Sequence, residues 1–174
     1  MKGGKMILLS IISIIVLVLI IFQIKSVNVV VLNHSVEINT PKEKVWQILN
    51  QLEIVANYNP QVERAKYITD IKNGVGASRE CKMHDGSLVK ERITKVETDA
   101  ITMELYESSW PVKDMKWRTQ LSENNGKTIM KQKLEYKVKN GALGAILNTL
   151  VMKGKMNNAI TETFKGLKSY AEKD

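Results

Sequence analysis

The chain has 174 residues, a formal net charge of +8 and one cysteine. That length allows a single domain of ordinary size with a proper core. The lone Cys81 excludes a disulfide framework and a thiolate metal cage; with neither histidine in metal-ligand spacing and no dinucleotide or phosphate-loop pattern, no cofactor or metal is expected. Lys2, Lys5 and Lys25 flank the apolar N-terminus, and without them 23 basic residues face 18 acidic ones. These alternate along the chain instead of clustering with aromatics, which argues against nucleic-acid binding.

Met6 to Ile24 reads MILLSIISIIVLVLIIFQI, 19 residues without a charge. As a helix it reaches ~28 Å, close to the ~30 Å hydrocarbon core of a bilayer. The stretch after it, Gln23-Ile24-Lys25-Ser26-Val27-Asn28, has no small-residue cleavage pattern. An uncleaved anchor is therefore expected over a signal peptide. The chain divides into residues 1–25, an N-terminal transmembrane anchor, and residues 26–174, a folded domain. Lys2 and Lys5 before the span against Lys25 after it point to a cytoplasmic N-terminus and an extracytoplasmic domain.

Val27 to Asn39 is rich in valine and predicts a strand. Asn33-His34-Ser35 matches a glycosylation sequon but lies within it. Thr40-Pro41-Lys42-Glu43 predicts a helix start, with Thr40 as cap and Glu43 completing a capping box. A short one-sided helix follows through Val45, Trp46, Ile48, Leu49 and Leu52, and a second piece runs from Ile54 to Tyr58. From Val62 the pattern becomes short strands joined by polar turns: 62–71, 77–83, 87–96, 100–108, 113–122 and 128–138. Connections this short force antiparallel pairing. Leu143 to Lys173 then carries apolar residues at gaps of three and four, an amphipathic helix of ~45 Å. The order is strand, two short helices, six strands and one long helix.

That order resembles the START-like, or SRPBCC, superfamily, and within it the polyketide cyclase/dehydrase-like proteins. The resemblance rests on Val36-Glu37-Ile38-Asn39-Thr40-Pro41-Lys42-Glu43-Lys44-Val45-Trp46, similar to the family's opening strand and proline-started helix. Asn57-Tyr58-Asn59-Pro60 is similar to its W-x-P segment, with Tyr58 in place of tryptophan. Gly74-Val75-Gly76-Ala77-Ser78-Arg79 resembles its G-x-G-x-x-R hairpin, and Glu91-Arg92-Ile93 its E-x-[VI] strand. Gly126-Lys127-Thr128 and the closing Leu167 to Glu172 complete it. The resemblance covers about residues 29 to 172. It implies an α+β helix-grip fold: a curved seven-stranded antiparallel sheet around a long C-terminal helix, with two short helices after strand 1. Such proteins bind lipids, sterols, hormones or polyketides in the space between sheet and helix, and a minority are enzymes. Fold alone does not choose among these.

Strand alternation sorts the candidate ligand-binding residues. Arg79, Cys81 and Met83 share one face of their strand, and Glu91 shares its face with Val89 and Ile93. Arg79 and Glu91 are expected to form a partly buried ion pair, serving either a ligand's polar end or only itself. Met103, Leu105, Met115, Trp117, Met130, Leu134 and Tyr136 are further inward candidates, the methionines suiting an irregular ligand as well as an ordinary core. Tyr58, two residues before Pro60, and Trp110, next to Pro111, either gate a cavity mouth or dip into a bilayer surface, or else fold back over the core edge. On the long helix, the face of Leu143, Ile146 and Leu150 passes through Lys153, Gly154, Asn157 and Thr161. Either the helix shifts register near Gly154, or Asn157 and Thr161 line the cavity opposite Arg79 and Glu91.

Catalytic signals are sparse. His34 and His84 lack metal-ligand spacing, and no nucleophile elbow or phosphate loop occurs. Glu91 is a weak candidate for a general acid or base. The leading expectation is a membrane-tethered module for a small hydrophobic or lipid-like ligand. The alternatives are a cyclase-, dehydrase- or hydrolase-like enzyme and a protein-interaction module for envelope or stress maintenance.

Overall fold

The computed structural model describes residues 2–173, and the side-chain surroundings of residues 5–173. The chain runs α1 (Lys2–Val27), β1 (Val30–Ile38), α2 (Lys42–Asn50), a 3-10 turn (Leu52–Asn57), β2 (Val62–Tyr67), β3 (Ser78–Met83), β4 (Leu88–Glu97), β5 (Ala100–Ser108), β6 (Val112–Asn124), β7 (Lys127–Val138), α3 (Gly141–Leu147), a π-helical turn (Asn148–Met152) and α4 (Lys153–Ala171). All strands join one antiparallel sheet in the order β1-β7-β6-β5-β4-β3-β2. This is the expected helix-grip α+β architecture. Register shifts at Val62/Arg64, Lys90/Glu91, Ile93/Lys95 and Lys113/Lys116 punctuate the ladders. Each such irregularity bends and twists its strand, which is how a sheet of this width comes to wrap a helix.

The helix inside that wrap is α4. Ile160, Phe164, Leu167 and Ala171 are buried at gaps of four, three and four, one stripe facing the sheet. They pack with Leu32 and Ile38 of β1, Val45 and Ile48 of α2, and Met130, Leu134 and Tyr136 of β7. A second cluster of Leu52, Ala77, Ile93, Ile101 and Met103 lies under Trp46 and Trp117. Gly166 lets α4 approach the 3-10 turn, because a Cβ there would overlap the Tyr58 carbonyl oxygen.

Three local expectations change. Thr40 does not cap α2: its hydroxyl donates to the Ala171 carbonyl at 3.0 Å, and its own carbonyl accepts from the Thr128 hydroxyl at 2.6 Å. Thr40 therefore ties the end of α4 to the sheet, a buried role that outweighs a cap at a solvated helix start. β2 stops at Tyr67 instead of continuing to Ile71, and Ile68 to Ala77 form a loop with Gly74 and Gly76 at positive φ. The long C-terminal helix is not continuous α-helix. It changes register in the π-turn at Asn148–Met152, just before Gly154.

The N-terminal helix α1 carries a span, Lys5–Val27, long and apolar enough to cross a membrane, with a mean hydropathy of 3.2 over its most apolar stretch, none of which is buried. Its last turns are tied to the domain. Phe22 packs on the main core, Ser26 is buried, and the Gln23 side-chain oxygen accepts from the Ala142 amide at 3.1 Å.

Candidate functional site

The face of the sheet turned toward α4 is built by simple alternation, and the ladder register places its residues in rows. One row runs Tyr67, Arg79, Glu91, Leu105, Met115 across β2 to β6. Within it, Arg79 and Glu91 form the ion pair. Nε and Nη2 both donate to Glu91 Oε2, at 2.7 and 2.6 Å, and Nη1 donates to the Leu52 carbonyl at 2.9 Å. Arg79 is buried, whereas the Glu91 side chain keeps 15% of its surface exposed. Burial, the largest single influence, would lower the arginine's pKa, but Glu91 together with the neighbouring Cys81 and Tyr58 outweighs it and holds the guanidinium charged, above its ordinary value. With three of its donors engaged, Arg79 braces the 3-10 turn against β3 and β4.

Cys81, Met83, Met103, Met130 and Tyr136 are all buried in the two core clusters, and Trp117 is half-buried between them. Burial, then the Glu91 charge, pushes the Cys81 thiol up to about 12, so it is no thiolate nucleophile at neutral pH. Tyr136 donates to the Asn148 side-chain oxygen at 2.7 Å, joining β7 to the π-turn. Burial raises the Tyr136 pKa against that hydrogen bond.

The helix and loop candidates stand elsewhere. Asn157 is exposed, and Thr161 spends its hydroxyl on the Asn157 carbonyl at 2.9 Å. The π-turn rotates the start of α4, so this pair is not brought to Arg79 and Glu91, and the register-shift alternative is the one observed. Tyr58 is buried with its ring 6.2 Å from that of Tyr170, folded over the core edge instead of standing at a mouth. Burial raises its pKa, partly opposed by Arg79. Trp110 is half-buried; its ring N–H donates to the Ser87 hydroxyl at 3.2 Å.

An opening lies where β5 and β6 part. Their ladder ends at Leu105↔Met115; beyond it β5 stays on β4 as far as Ser108, and β6 starts on β7 at Val112↔Val138. The gap holds a groove of about 550 Å³. Its floor is Leu105, Val112 and Met115, which belong to or pack on the core, and its rim carries Tyr106 and charges of both signs, Lys113, Lys116, Lys137 and Lys139 against Glu104, Glu107, Asp114 and Glu135. Lys137 pairs with Asp114 at 3.1 Å and Lys116 with Glu135 at 3.4 Å. Asp114 sits at φ 53, and the strand slips register across it. The groove also touches Val29, two residues beyond α1, and so opens at the end of the domain that carries the apolar helix.

Alternation marks Leu105 and Met115 as inward, but the rim lysines have no sequence signal beyond Trp110-Pro111, which keeps β5 and β6 from pairing to their ends. A second missed group is a polar row, His34, Gln132 and Thr119. Gln132 donates to the Thr119 hydroxyl at 3.1 Å, while His34 Nε2 is buried with no hydrogen-bond partner among the described residues. The His34 ring meets Phe164 of α4 edge-on at 5.9 Å. A buried polar atom without a partner is uncommon in a folded protein.

Solved structures share the fold. The ZhuI aromatase/cyclase from Streptomyces sp. R1128 superposes with a TM-score of 0.74 at 12% identity, covering 83% of this chain and 94% of its own. The protein XoxI from Bacillus cereus matches at 0.63 and 17% identity over 80% and 94%. An uncharacterized protein from Bacillus thuringiensis matches at 0.64 and 16% identity over 83% and 100%. No curated protein matches the sequence significantly. The family described as "Polyketide cyclase / dehydrase and lipid transport" matches residues 30–172, nearly all of the chain beyond α1. The chain belongs to that family.

Proposed function

We propose that this protein is a membrane-anchored domain that holds a small hydrophobic or lipid-like molecule, with residues 1–25 as the anchor and residues 26–174 as the binding domain. The observation that carries the reading is the seam between β5 and β6. A groove of about 550 Å³ with an aliphatic floor and a polar rim of mixed charge suits an amphiphile. Its apolar part would lie along Leu105 and Met115 towards the Met103 and Trp117 pair of the neighbouring row, and its polar end would stay among Lys113, Lys116, Lys137 and Lys139. Arg79 and Glu91 extend the floor's own row, with Glu91 directly opposite Leu105, so its part-buried carboxylate is a polar group that a tail reaching deep would meet. His34, Gln132 and Thr119 supply a second polar stop. The seam lies beside the end of α1, which keeps it close to a source of membrane-soluble ligand. The lysines ahead of the span favour an extracytoplasmic domain.

Native mass spectrometry of the full chain released from membranes tests this. A reproducible lipid-sized adduct is expected, and Met115→Trp, which fills the floor, should abolish it without unfolding the domain. A chain that is empty in every preparation counts against the reading. An enzymatic version would use Glu91 as acid or base; loss of turnover on Glu91→Gln with ligand binding retained would favour it.

A further inference from the structure

The helix that opens the C-terminal segment leaves its apolar face bare. Leu143 and Leu150 are 73% and 75% exposed, and Leu147 and Val151 are exposed beside them. Their spacing of four, three and one residues puts them on one face across α3 and the π-turn. From Asn140 through Met152 the chain has no charged residue, and Lys139 stands before this stretch with Lys153 and Lys155 after it. An uncharged helix with a leucine face and lysines at its ends is the composition of an element that lies in the membrane interface. In a water-facing helix of a soluble domain those four positions would be polar.

The position of α3 says what covers this face. Met6 to Ile24 is the uncharged run, and at ~1.5 Å per residue it fills a hydrocarbon core of ~30 Å. Gln23 therefore stands where the span leaves the hydrocarbon. Its side-chain oxygen accepts the Ala142 amide at 3.1 Å, and a Cβ on Gly141 would crowd that same oxygen at 2.9 Å. This contact fixes the start of α3 at the level where the span emerges. Ile24, Val27 and Val29, also exposed, continue the apolar surface from the span to the domain.

We infer that α3 and the π-turn are a second membrane element, which lies in the interfacial layer of the bilayer with Leu143, Leu147, Leu150 and Val151 inserted and Lys153 and Lys155 at the lipid headgroups. The inference rests on α1 being the membrane anchor proposed above. Its consequence is orientation: the domain is not on a free tether but sits face-down, the seam between β5 and β6 held near the lipid surface. The π-turn serves this geometry. It allows Asn148 to turn inward to Tyr136 while Leu147 and Leu150 turn outward.

The full chain in phosphatidylcholine/phosphatidylglycerol vesicles tests it. An environment-sensitive fluorophore is attached in turn at Leu150→Cys, at Ile14→Cys in the span and at Ser169→Cys on exposed α4; buried Cys81 stays unlabelled. Position 14 should be quenched by nitroxides deep in the acyl chains, and position 150 by nitroxides near the headgroups. Both should show a several-fold loss of iodide quenching relative to position 169. Leu143→Cys repeats the measurement should Leu150→Cys fold poorly. A quenched position 14 with an iodide-accessible position 150 overturns the inference and leaves the anchor standing. Water access at both overturns the anchor as well. Shielding at position 150 without quenching by lipid nitroxides would mean that a protein covers the ridge, which also overturns it. Lipid adducts in mass spectrometry report on the groove independently of all these outcomes.

Discussion

At the scale of single residues, Arg79 shows how much of a site can be bracing. Its guanidinium serves Glu91 and the Leu52 carbonyl together, so removing it strands a buried carboxylate and a buried carbonyl. Arg79→Met should cost about 3–5 kcal/mol, as breaking a buried pair does, whereas Arg79→Met with Glu91→Leu should recover most of it. Urea denaturation of both variants checks this; equal loss in the double variant would mean that the pair has a net stabilising role. Cys81 gives a pH prediction. Its thiol titrates at about 12 when folded, against an ordinary value near 9. The unfolded chain therefore releases this proton first, and the group's contribution, fully present below pH ~9, is lost as pH rises towards 12. Thiol labelling of the folded domain at pH 8 should accordingly be slow, and denaturant should release it.

Among elements, the C-terminal helix departs furthest from its sequence pattern. Its apolar residues fit two stripes that no single α-helix joins, one from Leu143 to Val151 and one from Ile160 to Ala171. The π-turn between them lets the first face outward and the second face the sheet. The hydrogen bond between Tyr136 and Asn148 pins the turn. Asn148→Leu should cost about 1–3 kcal/mol by leaving the Tyr136 hydroxyl buried without its partner. Adding Tyr136→Phe should return part of it, and a thermal melt of the two variants decides. Gly166→Ala is a sharper test. Helix propensity alone favours alanine by about 1 kcal/mol, but the new Cβ would overlap the backbone oxygen of Tyr58, which is not free to move. A lower melting temperature is expected; a higher one would show that α4 and the 3-10 turn are not held as close as described. The antiparallel pairing of β3 to β7 is legible in the sequence, because short polar turns leave it no alternative, whereas the register shifts in β4 and β6 are not. At Thr40 a cap and a tertiary hydrogen bond demand the same hydroxyl, and only the position of Ala171 decides between them.

For the whole molecule, the groove and the leucine ridge lie at the end where the apolar helix meets the domain. Thr40, Thr128 and the end of α4 close the opposite end with a buried hydrogen-bonded knot. An amphiphile proposed for the groove would then need no route through water. Met115→Trp should remove lipid adducts at a cost of about 1–3 kcal/mol in stability, since Met115 both floors the groove and packs in the core; retained strand signal in circular dichroism would show that the domain still folds.

The amino-acid sequence by itself determined the apolar span, the order of elements, the faces of the strands and the pairing of Arg79 with Glu91. These follow from local periodicity and from chain connections too short to permit other topologies. Tertiary structure alone decided where the sheet opens, because a seam depends on where two ladders stop, and no local pattern in either strand records that. It also decided that Asn157 faces water while Leu143 and Leu150 stand bare beside the span. Helical spacing assigns residues to a common face, but what that face meets is set by the register shift and by the neighbours the fold brings to it.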